Sequence, residues 1–191
     1  MSVLYEIAFG LALGFSLTVP PGPMNALMAA RSVGSFRRGF LTGLGAMSAD
    51  LVLGSAVYLF QREIDLGGVV RFIYAIGAGV MAVLAYRVLV RRPVGPPVET
   101  AEIRTYTSAL AVGLANPFQI LWWLTAGVAF AYLGGIVLLA GLFGAIAVWI
   151  VAFPYALHAG VRRYPQGERA VTVVSGLILI VFAAYFALLA I

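Results

Sequence analysis

The sequence predicts an all-α integral membrane protein: six transmembrane helices forming two inverted three-helix repeats, with the first and fourth helices broken. Three observations lead there. Of its 191 residues, 63% are hydrophobic and 10% are charged, and the mean hydropathy is +1.04; soluble domains are roughly half apolar and about a quarter charged. Six apolar stretches each reach the ~20 residues that a helix needs to cross a bilayer. Prolines interrupt two of them, at Pro20-Pro21-Gly22-Pro23 and at Asn116-Pro117.

The first segment covers 3–29. It carries Glu6 where a secretory signal would be basic and lacks a small-residue cleavage site, so it is expected to remain in the mature protein. Three prolines and a glycine rule out continuous helix through its middle, because proline donates no backbone hydrogen bond. A second half-helix should start near Pro23, a residue favoured in a first helical turn. Its free N–H groups and positive dipole end suit an anion such as an α-carboxylate. Asn25, just inside, either donates to that anion or repairs the broken backbone locally.

The second segment, 39–60, holds Asp50 near its centre. An aspartate at that depth costs roughly 3 kcal/mol on insertion scales, and such acids normally face the bundle interior and serve an ion, a proton or a substrate. The alternative is a buried acid held protonated by hydrogen bonds. Segment three covers 68–90, and a Pro-rich linker, 93–104, then separates repeat one (1–92) from repeat two (105–191) within one transporter domain. Because three is odd, the second repeat must be inverted, the arrangement that puts a transport site where the broken helices meet.

Segment four, 106–131, repeats the punctuation with Gly113, Asn116 and Pro117. Asn116 is placed to satisfy freed carbonyls or to touch a substrate. Segment five, 136–157, contains Pro154, a candidate kink, and precedes His158, read as an interfacial or loop histidine; segment six is 170–191. Trp122, Trp123 and Trp149 read as packing residues. Tyr5, Tyr58, Tyr106, Tyr132 and Tyr164 read as interfacial anchors. Gly10 with Gly14 and Gly39 with Gly43 let helices approach closely, more readily within one subunit than in a homodimer, which stays open.

All twelve basic residues are arginine, and ten of them flank alternate connections: 31, 37 and 38; 87, 91, 92 and 104; 162, 163 and 169. The opposite side holds Arg62 and Arg71, offset by Glu63 and Asp65. The positive-inside rule puts the ten in the cytoplasm and both termini outside, as for a multi-pass plasma-membrane protein. The net charge of +5 therefore reflects topology and contact with membrane lipids, and nucleic acid is not an expected partner. Without cysteine there is no disulfide or thiolate metal site. One histidine and one central acid make neither a metal cage nor an enzyme nucleophile with its base; no cofactor is expected.

The ordered set Pro20-Pro-Gly-Pro-Met-Asn25, Ser48-Ala-Asp50-Leu-Val-Leu and Ala115-Asn116-Pro117 resembles the LysE/RhtB family of amino-acid exporters over nearly the whole length. The resemblance implies two three-helix repeats and export of an amino acid driven by the proton gradient. It also implies that Pro21, Gly22, Pro23, Asn25, Asp50, Asn116 and Pro117 lie at or near the substrate. Phe118 stands where the family usually has lysine or histidine. The acid that often follows in exporters of basic amino acids is missing, and Trp122 or its neighbours occupy that place. A neutral amino acid fits better than lysine or arginine. An inorganic-cation exporter, an intramembrane enzyme and a structural subunit are the alternatives.

Overall fold

The computed structural model describes residues 3–60, 70–90, 98–124 and 136–191, and among these every regular element is helical. The helices are α1 (Val3–Thr18), α2 (Pro23–Gly34), α3 (Phe36–Phe60), α4 (Val70–Val90), α5 (Val98–Leu114), α6 (Pro117–Trp122), α7 (Ile136–Arg163) and α8 (Gly167–Leu189). Helix is what a bilayer demands, since lipid offers no partner to a backbone N–H or C=O. Among the described residues α3, α4, α7 and α8 are long and apolar enough to cross a membrane, and α1 and α2 meet the same test only when taken together as one bent pair. The chain is a multi-pass membrane protein. The expected fourth span is described only to Leu124, and the remainder of 106–131, with Tyr132, lies outside the described residues. So do Arg62, Glu63, Asp65, Arg91 and Arg92, with residues 93–97 of the linker.

Both expected breaks are present. α1 ends at Thr18 and α2 begins at Pro23, bent by 74°. α5 ends at Leu114 and α6 begins at Pro117, with Asn116 extended (φ −85°, ψ 110°). Helix ends depart from the apolar boundaries: α3 starts at Phe36, α5 at Val98 inside the expected linker, and α7 runs on to Arg163. Apolar residues mark the length that meets lipid, whereas helical hydrogen bonding continues into the polar zone beyond it. α7 also continues through Pro154, which is buried against Gly39 of α3.

Three long contacts organise the bundle: α1 on α7, α5 on α3, and α4 on α8. Small residues make the first two close. A Cβ on Gly10 would strike the Leu138 carbonyl, and one on Gly14 the Leu142 carbonyl. On α3, a Cβ at Gly45 would come within 2.6 Å of the Tyr106 carbonyl. These glycines therefore pack helices within the chain. The third contact is aromatic and aliphatic, with Phe186 buried 5.8 Å from Tyr74 and Leu89 over Gly176. Large apolar side chains such as Phe72, Val83, Val151, Tyr155 and Leu188 point outward, as expected where lipid is the solvent.

α2 runs through the middle and packs on α3, α7 and α8. One apolar cluster (Leu17, Val57, Trp123, Leu138, Leu142, Ile146, Ile150) and another (Ala26, Leu27, Met81, Leu84, Val112, Leu179, Phe186) are separate. Replacing Gly10 by alanine should cost about 1–3 kcal/mol through overpacking, whereas a Cβ on Gly79 meets nothing within 4 Å. Thermal melting in detergent should show Gly10→Ala lowered and Gly79→Ala close to wild type.

Candidate functional site

The first break builds its own support. Gly22 precedes the first turn of α2 in extended conformation and Pro23 opens the helix. The carbonyls of Thr18 and Pro20, which have lost helical partners, both accept hydrogen bonds from Asn25 Nδ2, the second at 2.9 Å. Asn25 Oδ1 in turn accepts from Trp149 Nε1 of α7 at 3.1 Å. Asn25 thus holds the bend together with its whole amide. The first backbone N–H of α2 bonded within the turn belongs to Ala26, whose partner is the Gly22 carbonyl at 3.0 Å. Those of Met24 and Asn25 come before it, among the donors every helix start leaves open, and both residues line a cavity at the bend.

At the second break, Asn116 is buried, and its Oδ1 caps α6 by accepting from Phe118 N at 3.2 Å. Pro117 occupies the first helical position, its ring against Gly77 of α4. One turn on, Gln119 donates from Nε2 to the Ala46 carbonyl of α3 at 3.1 Å. Its Oε1 is buried with no partner.

Asp50 is only 4% exposed. Its Oδ1 accepts from Trp123 Nε1 at 2.8 Å, and Gln119 lies beside the carboxylate. The small cavity that Asp50 and Gln119 line has a volume of about 60 Å³. Gly22, Pro23, Asn25, Asp50 and Asn116, expected at a site from the sequence, all line it together with Gln119 and Trp149. Two expected residues do not. Pro21 faces an apolar groove between α2, α7 and α8, and Pro117 packs on α4.

Trp123 and Trp149, read from the sequence as packing residues, each donate an indole N–H to a polar site residue. The available signal was spacing: Gln119 and Trp123, four apart, fall on one helical face. Tyr106 is also not an interfacial anchor, since its hydroxyl donates to Ser48 Oγ at 3.0 Å inside the bundle. His158 lies in α7, its Nδ1 3.0 Å from the Ser32 carbonyl; a carbonyl only accepts, so Nδ1 carries the hydrogen. Among the described residues no three His, Cys, Asp or Glu side chains cluster as a metal site would require.

The model of the LysE type translocator family matches residues 15–189. The chain is also 29% identical over 197 aligned positions to a Bacillus subtilis (strain 168) protein named "Putative amino acid efflux protein YcgF", with 92% of each chain covered. No match to a solved structure was found.

The hydrogen bond from Trp123 to Asp50 is open to a direct measurement. Trp123→Phe should cost about 1.5–3 kcal/mol, as expected for a bond to a charged group. Most of that loss should vanish in an Asp50→Leu background. Unfolding of the four proteins in detergent gives the coupling energy, and additive losses would mean that the bond contributes nothing.

Proposed function

The chain belongs to the LysE type translocator family, and from that premise we propose that it is a secondary transporter exporting an amino acid from the cytoplasm. The carrying observation is the polarity of the cavity between the two breaks. Its lining combines Met24 and Asn25, whose backbone N–H groups fall among those a helix start leaves open, with acceptors at the Asp50 carboxylate and the partnerless Gln119 Oε1. An amino acid is a zwitterion and requires both. The start of α2 takes the α-carboxylate through backbone N–H groups and the helix dipole. Asp50 and Gln119 take the ammonium, while the Asn25 side chain, engaged at the bend, leaves only its backbone N–H for the substrate. Asn116 positions Gln119 by capping α6.

A neutral substrate is favoured because the cavity has one carboxylate, and Phe118, Ile146 and Ile150 bring apolar surface. A volume of about 60 Å³ is far below the roughly 300–1,000 Å³ of a ligand pocket. The site is therefore contracted, and binding requires it to widen. Proton coupling follows if Asp50 exchanges the ammonium for a proton.

Alternating access between two inverted repeats, 1–92 and 105–191 joined by a linker, is supported by a reciprocal pattern of contacts. The broken helix of each half packs on the middle helix of the other, α1 on α7 and α5 on α3. The arginine distribution favours both termini outside.

Efflux from preloaded proteoliposomes, using a panel of radiolabelled amino acids with and without a pH gradient, tests this reading. Gradient-driven efflux of neutral amino acids should fall at least about tenfold in Asp50→Asn, the scale of one lost charge-assisted contact. No efflux of any amino acid would overturn the assignment; unchanged efflux and pH dependence in Asp50→Asn would overturn the role of Asp50. The chain has no cysteine, so single cysteines report topology without background. A cysteine at Gly167 should react with a membrane-impermeant maleimide from the cytoplasmic face, and one at Ile191 from outside.

A further inference from the structure

A second and much larger cavity, of about 1000 Å³, opens between α2, α4, α5 and the start of α8 on the arginine-rich side. Among the described residues, Arg31, Arg38, Arg87 and Arg169 line it against a single acid, Glu168. None of the four forms an ion pair with a described residue. The one ion pair among the described residues joins Arg37 to Glu102 at 2.7 Å, outside this lining.

Arginines at a membrane surface ordinarily serve topology and headgroup contact. Arg31 differs because its guanidinium turns into the bundle. Nη1 donates to Thr42 Oγ1 at 3.1 Å and to the Thr105 carbonyl at 3.0 Å, and Nη2 donates to Ser108 Oγ at 3.0 Å. Three neutral acceptors fix its orientation without cancelling its charge. A guanidinium has five N–H donors in a planar fork, so two have no acceptor among the described residues, and the positive charge stands at a cavity wall. Arg87 adds a like charge to the same space, which only an anion would relieve. The other face of α2, at Met24 and Met28, lines the small cavity at the bend.

We infer that this cavity is an oxyanion-binding site in which Arg31, held in position by Thr42, Thr105 and Ser108, takes a carboxylate or a phosphate. Arg38, Arg87 and Arg169 supply the surrounding positive field, and the apolar walls at Leu27, Leu84 and Val112 admit a ligand with an apolar portion. Two sources present that chemistry, a small soluble carboxylate from the aqueous side and the headgroup of an anionic phospholipid.

The test uses delipidated protein in an uncharged detergent and reads its melting temperature, because ligand that binds only the folded state raises the midpoint saturably. In one arm sodium acetate replaces sodium chloride at constant ionic strength. In the other, dihexanoyl phosphatidylglycerol replaces dihexanoyl phosphatidylcholine. A saturable rise is expected in at least one arm: acetate identifies a soluble carboxylate, and a response to phosphatidylglycerol alone identifies lipid. Arg31→Gln should raise the half-saturating concentration about tenfold or more. Arg87→Gln, which breaks no hydrogen bond with a described residue, should raise it about threefold, and it decides the matter if Arg31→Gln does not fold. No saturable rise in either arm, or equal half-saturation in wild type and variants, would overturn the site. Amino-acid transport is not measured, so the result stands apart from the export assignment.

Discussion

Everything at the centre of this molecule depends on the shortage of hydrogen-bond partners in a bilayer. A helix interrupted at Pro20 to Pro23 frees backbone carbonyls that lipid cannot satisfy, each unsatisfied group costing several kcal/mol. Asn25 meets that demand by donating to Thr18 and Pro20, and Trp149 fixes Asn25 from α7. The second break has the same logic on a smaller scale, with Asn116 capping the short helix that follows. Both asparagines sit where a neighbouring proline has removed a helical hydrogen bond, so the breaks form with their repairs built in.

That economy has a second effect. With the Asn25 amide and the Asn116 oxygen engaged, the groups left over at the cavity include the backbone donors at the start of α2, the Asp50 carboxylate and one amide oxygen of Gln119. The two apolar clusters, one around Trp123 and Ile146 and the other around Met81 and Phe186, keep these groups away from lipid. The indole N–H of Trp123 joins the first cluster to Asp50. Packing and polarity are therefore coupled at this acid.

What could be read from the sequence was what is decided locally. Proline acts on its own backbone, so the breaks and the start of α2 at Pro23 follow from a few adjacent residues. The partners of the polar groups did not, because Asn25 meets Trp149 and Asp50 meets Trp123 across large sequence separations. An indole in an apolar stretch looks like packing until the other helix is in place. Gln119 is silent in the sequence for the same reason: it meets Asp50 only once α3 and α6 are packed together. Helix ends such as Arg163 of α7 lie beyond the apolar stretch because hydropathy falls off before helical hydrogen bonding does.

One feature of the backbone sets the mechanics. α2 and α3 are joined by the single extended residue Ser35, which allows at most ~3.6 Å of chain and so leaves almost no slack for sliding. The three hydrogen bonds of Arg31 pin the same end of α2 to α3 and α5. A displacement of α2 that keeps these contacts is a swing about that end, like a lever on a fulcrum, and it has to break the Asn25–Trp149 hydrogen bond at the other end. Twelve residues make an arm of about 18 Å, so a tilt of ~10° carries the Pro23 tip about 3 Å, comparable to the width of a water molecule, while Ser35 stays nearly still.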